Sequence, residues 1–133
     1  EGRNKTMIDH VSIGVRDLVA ASAFYDAVLG ALGMTRLRDQ ETTVGYGKRH
    51  PEFWLNVRDN LPPETFDTGV HVCLRTPTTD AVDAFHATGL KGGATDDGAP
   101  GLRPEYDPRY YAAFLKDPDG NRVEAVHFTD VPA

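Results

Sequence analysis

The sequence predicts an α+β domain built from two tandem modules, each with the element order strand, helix and three further strands. An internal repeat supports this prediction, because the segment "DHVSIGVRDLVAASAFYDAVLG" from Asp9 aligns without a gap with "VHVCLRTPTTDAVDAFHATGLKGG" from Val70, superposing His10 on His71. Within each copy, apolar residues first alternate with polar or small ones and then recur at helical spacing. This change of period indicates a strand followed by a helix.

The first strand of each copy is predicted by apolar residues at every second position. They are Val11, Ile13 and Val15 in the first copy and Val70, Val72 and Leu74 in the second. His10 and His71 have the opposite parity. We therefore expect both histidines to lie on the face of the sheet that points away from the core.

A helix follows each of these strands. Asp17 is suited to cap the first helix, which ends near Gly33, and Thr78 or Thr79 is suited to cap the second, which ends near Gly89. Three short strand-like runs then follow in each copy. They cover residues 34–39, 42–46 and 53–57 in the first copy and 93–95, 110–115 and 122–128 in the second.

The connection between the copies is the segment "NLPPETFDTG", whose prolines cannot donate to a sheet ladder. We place the first module at residues 7–60 and the second at residues 61–133. Neither half is long enough to bury a core alone. The two modules are therefore expected to form one domain.

Composition narrows the classes of partner. The net charge of −6 argues against a nucleic acid or an anionic membrane, because either would favour clustered Lys and Arg, and it leaves a small molecule as the expected ligand. No apolar stretch reaches the roughly 20 residues that cross a bilayer, and the first residues lack the hydrophobic segment of a signal peptide, so a cytoplasmic protein is expected. Cys73 is the single cysteine, so any metal must be bound mainly by His and carboxylate.

The segment "DPDGNRVEAVHF", residues 117–128, combines a turn with a carboxylate in an apolar run. Pro118 and Gly120 suit a hairpin turn, and Glu124 follows inside the last predicted strand. Burying a lone carboxylate costs several kcal/mol unless a cation or hydrogen-bond donors compensate its charge. Glu124 is therefore expected to have such a partner.

His10, His71 and Glu124 are the strong ligand types on strands of related position. If the two sheets curve around a shared cavity, two imidazoles and one carboxylate can bind a divalent Zn, Mn, Ni or Fe ion with open coordination positions. The alternative interpretation is structural. In it the histidines are hydrogen-bonded core residues, and Glu124 pairs with one of three arginines, Arg75, Arg103 or Arg122.

With these residues the chain resembles the vicinal oxygen chelate superfamily. That superfamily includes glyoxalase I, extradiol dioxygenases, fosfomycin-resistance thiol transferases, methylmalonyl-CoA epimerase and bleomycin-resistance proteins. The resemblance runs from about Ile8 to Phe128 and is carried by "IDHVSIGVRDLVAASAFYDAVLG", "GVHVCLR" and "YYAAFLKDPDGNRVEAVHF". It implies a glyoxalase-like fold, in which two β-α-β-β-β modules form an incomplete barrel around a central cavity.

The resemblance also implies metal ligands on the first and last strands of each module. His10, His71 and Glu124 match three of these four positions, and Trp54 falls near the fourth, followed on the same face by Asn56. Because tryptophan cannot ligate a metal, the site looks more like those of the dioxygenases and thiol transferases than the four-ligand site of glyoxalase I.

Further residues are candidates for the wall of the cavity. Cys73 shares the parity of His71. Tyr106, Tyr110 and Tyr111 offer a wall or a proton donor, and of these Tyr111 is assigned the catalytic role beside Glu124. Arg103 lies in "DDGAPGLRPEYDP", which is interpreted as a mobile rim loop in which an arginine can hold a substrate carboxylate. For each of these residues, ordinary packing or solvation is the alternative.

Two functions follow from this resemblance. The first is a small metal-dependent enzyme of the glyoxalase or dioxygenase type, acting as a lyase, isomerase, thiol transferase or dioxygenase on a substrate with vicinal oxygens. The second is a non-catalytic protein that sequesters a small molecule or antibiotic, with Trp54 and the tyrosines as stacking surface. The resemblance implies a homodimer in either case, while the substrate and the general base stay open.

Overall fold

The computed structural model describes residues 7–130, so residues 131–133 of the second predicted module lie outside the described part. Eight strands and two helices follow one another in two similar series. The first series is β1 (Val11–Val15), α1 (Leu18–Gly30), β2 (Thr35–Asp39), β3 (Thr43–Gly47) and β4 (Phe53–Val57). The second is β5 (His71–Arg75), α2 (Thr79–Lys91), β6 (Thr95–Leu102), β7 (Tyr110–Lys116) and β8 (Arg122–Phe128).

The strands form two open four-stranded sheets with the same topology. Their orders are β1-β4-β3-β2 and β5-β8-β7-β6, with the first and last strand of each series parallel and the remaining neighbours antiparallel. The predicted α+β fold of two β-α-β-β-β modules is confirmed. Within residues 7–130, neither helix is long and apolar enough to span a membrane.

Both helices begin at the predicted capping residues. The side chain of Asp17 accepts a hydrogen bond from the backbone N–H of Ala20 at 3.1 Å, and the hydroxyl of Thr78 accepts one from Ala81 at 3.1 Å. Each cap satisfies a donor that the first helical turn leaves without a partner inside the helix. Thr78, rather than Thr79, is therefore the cap of α2.

One hydrophobic core spans both modules. It includes the buried face of α1, with Tyr25, Val28 and Leu29, and continues through Phe85 of α2 and Ala125 of β8. Because residues of both series contribute to the same cluster, neither module has an independent core in this arrangement.

The strand β6 is longer than predicted, which corrects part of the rim-loop interpretation. Residues 96–102 belong to the strand, and the loop is limited to residues 103–109. The pairing with β7 is irregular between Asp96 and Gly98 and again between Gly98 and Gly101. Pro100 is tolerated because β6 is an edge strand, and such irregularities hide a strand from an analysis of regular alternation.

The turn between β7 and β8 is organised by the buried carboxylate of Asp117, which is 4% exposed. Its Oδ1 accepts hydrogen bonds from the backbone N–H groups of Asp119 at 2.9 Å and Asn121 at 2.8 Å. Its Oδ2 accepts from the hydroxyl of Tyr25 in α1 at 2.5 Å and from the amide of Asn121 at 3.0 Å. The same amide donates to the carbonyl of Gly14 in β1, so this turn also joins the two modules.

The segment between the modules packs onto this turn. Arg16 forms an ion pair with Asp119 at 3.0 Å and donates to the carbonyl of Pro62 at 2.5 Å. Gly120 has φ of 95°, and a Cβ atom at this position would lie 2.5 Å from the carbonyl oxygen of Glu64. A side chain at residue 120 would therefore strain the turn and displace the connection.

We predict that Asp117→Asn destabilises the fold by about 2–3 kcal/mol, because the amide offers one acceptor oxygen and directs an NH₂ group towards groups that also donate. Urea denaturation should show the loss as a lower midpoint. Asp59→Asn, at an exposed position, is the matched control and should change the stability by less than about 0.5 kcal/mol. Equal midpoints for the two variants would contradict the role of Asp117.

Candidate functional site

The candidate site lies on the face of the second sheet that α2 does not cover, which we call the open face. Residues His71, Cys73 and Arg75 of β5 alternate on this face and are exposed, whereas Val72 and Leu74 pack against the core. The predicted parity of His71 is therefore observed. In the parallel pairing of β5 with β8, Cys73 lies beside Glu124.

Glu124 is buried on the open face, with 2% of its surface exposed. Its Oε1 lies 3.0 Å from Nε2 of His71, and its Oε2 accepts a hydrogen bond from the hydroxyl of Tyr110 at 2.5 Å. The carboxylate is thus held between an imidazole and a phenol. These groups are the donors that a buried carboxylate requires.

The arginines of the structural alternative are engaged elsewhere. Arg122 pairs with Asp97 at 2.8 Å and lies 3.7 Å from Asp67. The guanidinium of Arg75 lies 4.9 Å from the centre of the Phe128 ring, and Arg103 donates to backbone carbonyls. None of the three forms an ion pair with Glu124 among the described residues.

The structure corrects the choice of tyrosine. Tyr111 lies on the helix-covered side, where its hydroxyl donates to Asp83 of α2 at 2.6 Å, so it does not face Glu124. Tyr110 occupies that place instead, because Phe114 pairs with Glu124 across the hairpin and Tyr110 shares the parity of Phe114. The register of the hairpin, counted from the "DPDGN" turn, would have identified Tyr110 as the tyrosine on the face of Glu124. Alternation within β7 alone does not distinguish the two tyrosines.

Burial and the hydrogen bond to Glu124 raise the pKa of Tyr110, so its hydroxyl stays protonated at neutral pH and acts as a donor. The sulfur of Cys73 lies 3.8 Å from this hydroxyl. The pKa of the Cys73 thiol is raised to about 12, first because neighbouring atoms displace part of its water and then because it faces the negative Glu124. Cys73 is exposed as a residue, yet its thiol is a poor nucleophile in this setting.

His10 stands apart from this pair. It immediately precedes β1, is exposed, and its Nδ1 lies 2.8 Å from the carboxylate of Asp9. His10 and His71 both line a depression of about 660 Å³ that also includes Glu52. Nevertheless, residues 7–130 contain no group of three or more His, Cys, Asp or Glu side chains close enough to hold a metal ion. A single chain therefore brings His71 and Glu124 together but does not add His10.

Trp54 is the counterpart of Glu124 in the first module. Ser12 pairs with Trp54 across β1 and β4, just as Cys73 pairs with Glu124 across β5 and β8. The indole packs over Gly45, where a Cβ atom would lie 2.9 Å from a ring carbon. The fourth predicted corner therefore carries an aromatic surface and no ligand.

Asn56, the next residue on that face, accepts a hydrogen bond from the hydroxyl of Thr43 at 2.7 Å. The hydroxyl of Thr43 also lies 2.9 Å from the carbonyl of Leu55. Asn56 is thus tied to its own sheet, and its amide NH₂ is the group that stays available to a ligand.

Arg103 and Tyr106 reach the site through aromatic neighbours. The guanidinium of Arg103 donates to the carbonyls of Gly101 and Ala99 and lies 5.3 Å from the centre of the Phe114 ring. The ring of Tyr106, whose centre is 5.2 Å from that of Tyr110, is largely exposed. Both residues lie at the rim of the open face, and within residues 7–130 neither forms a hydrogen bond with Glu124.

Comparisons with known proteins agree with this architecture. A sequence model of the Glyoxalase/Bleomycin resistance protein/Dioxygenase superfamily matches residues 7–125. The crystal structure of a glyoxalase/bleomycin resistance protein from Albidiferax ferrireducens T118 is similar at 34% identity over 92% of this chain and 99% of the other, with a TM-score of 0.81.

Two more distant structures share the fold. A glyoxalase/bleomycin resistance protein/dioxygenase family enzyme from Burkholderia phytofirmans PsJN has 21% identity and a TM-score of 0.68, over 93% of this chain and 100% of the other. The fosfomycin resistance protein FosX from Listeria monocytogenes has 14% identity and a TM-score of 0.67, over 94% and 95%. The comparison with curated proteins found no significant match.

We predict that Cys73 in the folded, metal-free protein reacts with iodoacetamide at pH 8 on the order of 30-fold more slowly than in urea. A pKa of about 12 lowers its thiolate fraction about a thousandfold relative to an ordinary thiol, and greater nucleophilicity restores part of that rate. The rate in the folded protein should keep rising with pH above 9. Because Cys73 is the single cysteine, the incorporated label measured by mass spectrometry reports this residue alone.

Glu124→Gln removes the neighbouring negative charge and should increase the labelling rate of the folded protein. Glu105→Gln, which changes an exposed glutamate, should leave the rate as it is. A folded-state rate equal to the rate in urea would contradict the raised pKa of Cys73, and an unchanged rate in Glu124→Gln would contradict its electrostatic coupling to Glu124.

Proposed function

Because the chain belongs to the glyoxalase/bleomycin resistance protein/dioxygenase superfamily, we propose that it is a metal-dependent enzyme whose divalent ion is bound by His71, Glu124 and His10. The observation that carries this proposal is the buried carboxylate of Glu124, whose Oε1 lies 3.0 Å from Nε2 of His71 on the open face. The substrate is a small molecule that presents two neighbouring oxygens.

The spacing of His71 and Glu124 suits a shared ion. Nitrogen and oxygen ligands bind Zn²⁺ at about 2.0–2.2 Å, so two ligands of one ion stand roughly 3 to 3.5 Å apart. The distance of 3.0 Å between Nε2 of His71 and Oε1 of Glu124 agrees with this requirement. A cation would also compensate the charge of Glu124. The two groups that contact its carboxylate, the imidazole of His71 and the phenol of Tyr110, carry no permanent positive charge.

The third ligand, in this proposal, comes from a second copy of the chain. Within residues 7–130 of one chain, His10 does not join His71 and Glu124. Each of β1 and β5 is an edge strand of its sheet. Pairing two copies would cover the open face and protect such edges. The proposed enzyme is therefore a homodimer in which each site combines His71 and Glu124 of one copy with His10 of the other.

The bound ion would supply Lewis acidity and hold two substrate oxygens side by side. The residues of the chain divide the remaining tasks. Tyr110 donates to Glu124 and fixes the direction of its carboxylate, and Phe114 lies beside Glu124 in the pairing of β7 with β8. Trp54 supplies no ligand, so coordination positions stay open for substrate. Proton transfer beside a carbonyl, addition of a nucleophile and dioxygen insertion are the reactions compatible with this arrangement.

We expect added Zn²⁺, Mn²⁺, Ni²⁺ or Fe²⁺ to raise the melting temperature of chelator-treated wild type. A ligand at a hundredfold excess over its dissociation constant stabilises the native state by about 2.7 kcal/mol, which corresponds to several degrees. Glu124→Gln should fold and lose this response, whereas Glu105→Gln should keep it. An equal response in both variants would exclude Glu124 as a ligand.

Subunit complementation tests the origin of His10. Neither His10→Ala nor His71→Ala alone should respond to metal, but a mixture of the two, unfolded and refolded together, should recover part of the response. One site of each mixed dimer would then contain an intact His10 from one chain and an intact His71 from the other. No recovery, or a monomeric mass by light scattering at micromolar concentration, would contradict the shared site.

Sequestration of a small molecule without turnover is the second candidate function. The indole of Trp54 and the tyrosines near the open face favour it, because they form stacking surface that needs no metal. The double variant His10→Ala/His71→Ala separates the candidates. Unchanged affinity for a small ligand identified by screening would support sequestration, and loss of affinity together with metal would support the enzyme.

A further inference from the structure

We propose that Arg75 and Lys48, together with the ring of Phe128, form an oxyanion subsite at the end of the open face, which binds a carboxylate or phosphate group of the substrate. The inference deepens the proposed function and rests on it, because the anion would belong to the same molecule whose oxygens approach His71 and Glu124. It narrows the substrate class to small acids with an apolar or aromatic body.

The subsite is a cavity of about 450 Å³ where the two modules meet. It is lined by Lys48, Arg75, Thr76, Pro77, His127 and Phe128. Lys48 follows β3 of the first module, whereas the other residues come from the ends of β5 and β8 and the segment that leads to α2. Cations from both modules therefore converge on one volume that is large enough for a small acidic group.

Within residues 7–130, the charge of this cavity lacks a counterion at ion-pair distance. Among residues 7–130, no carboxylate lies within the 4 Å of an ion pair from Arg75 or Lys48, although the chain has 20 acidic and 14 basic side chains. Arg16 has such a partner in Asp119 and Arg36 has one in Asp26, whereas Arg38 and Arg58, like Arg75, have none among the described residues. Two unpaired cations on one cavity favour an anionic ligand.

Arg75 is held in place by aromatic contact. Its guanidinium lies 4.9 Å from the centre of the Phe128 ring. The guanidinium of Arg109 lies 5.8 Å from the same ring centre and pairs with Asp107. Stacking of this kind orients the guanidinium while leaving its N–H groups free to donate. An oxyanion is the ligand that such a planar donor binds best.

Thr76 and His127 form a fixed part of the wall of this cavity. It is 3% exposed, and its hydroxyl has no hydrogen-bond partner in the described part of the chain. The backbone carbonyl of Thr76 accepts from Nδ1 of His127 at 3.0 Å, which fixes the imidazole beside it. The hydroxyl of Thr76 is buried away from the cavity, so the contacts to the anion are assigned to Arg75 and Lys48.

The subsite is continuous with the pair His71 and Glu124. Arg75 stands four residues beyond His71 on β5, which is about 13 Å along a strand. Between them, the ring of Tyr110, which donates to Glu124, contacts Phe128 edge-on with ring centres 5.3 Å apart. A substrate with one aromatic ring or a short apolar chain would thus lie over Tyr110 and Phe128, with its oxyanion at Arg75.

The test uses metal-free full-length protein in the presence of EDTA, with benzoate, phenyl phosphate and neutral benzyl alcohol as probes. Amide chemical shifts in ¹H–¹⁵N spectra should move on titration with the two anions, first at residues 75–76 and 127–128. Benzyl alcohol should leave these signals unchanged. Equal shifts with the neutral probe, or no shift with either anion, would overturn the subsite.

Arg75→Gln should weaken benzoate binding about tenfold, as expected for loss of one charge-assisted hydrogen bond. Lys48→Gln should weaken it less, and Arg58→Gln, at an exposed position outside the cavity, is the matched control that should leave it unchanged. Comparable melting temperatures for the three variants confirm that each is folded. Benzoate affinity that is the same in Arg75→Gln and wild type contradicts the assignment.

Metal titration of the same proteins keeps the two proposals separate. Arg75→Gln should bind metal as wild type does, because Arg75 is not a ligand. If anion binding depends on Arg75 while no metal binds to wild type, the proposed metalloenzyme fails and the subsite stands. If metal binds to wild type and the affinity for benzoate is the same in Arg75→Gln as in wild type, the subsite fails and the metal site stands.

Discussion

The carboxylate of Asp117 accepts four hydrogen bonds in a buried position, and the geometry on both sides of it depends on them. Two of these bonds close the turn that sets Lys116 opposite Arg122, and that register places Phe114 beside Glu124. A third comes from Tyr25, a residue of the first module. Burial raises the pKa of Asp117, and the hydrogen bonds that it accepts oppose this effect. Keeping this buried carboxylate ionised therefore costs free energy.

Glu124 is the buried carboxylate of the candidate site, and it has fewer hydrogen-bond donors than Asp117. Asp117 accepts from backbone, amide and phenol groups, whereas Glu124 has one imidazole and one phenol for two oxygens that can each accept more than one bond. An arginine would satisfy such a carboxylate permanently and exclude a cation. Because the nearby arginines are engaged with Asp97, Phe114 and Phe128, the carboxylate keeps acceptor capacity towards the open face.

The features that the sequence predicted correctly depend on local periodicity and on the repeat. They include the strand parity of His71 and the cap at Asp17. They also include the equivalence of Trp54 and Glu124, which follows from superposing the two copies of the repeat. The errors depend on pairing between strands. Tyr110 and Tyr111 are adjacent, so choosing between them requires the hairpin register, and the irregular pairing around Gly98 hid most of β6.

The repeat also explains why the two modules are unequal. Both present an open face built from the same strands, but the first carries Trp54 and Asn56 where the second carries Glu124 and Val126. The contacts of Asp117 and Asn121 join the modules at the turn and not through these faces, so the faces stay available to a partner. If a second copy covers them as proposed, each cavity would combine one polar, metal-binding wall with one aromatic wall. Metal binding and substrate stacking would then be divided between the two modules.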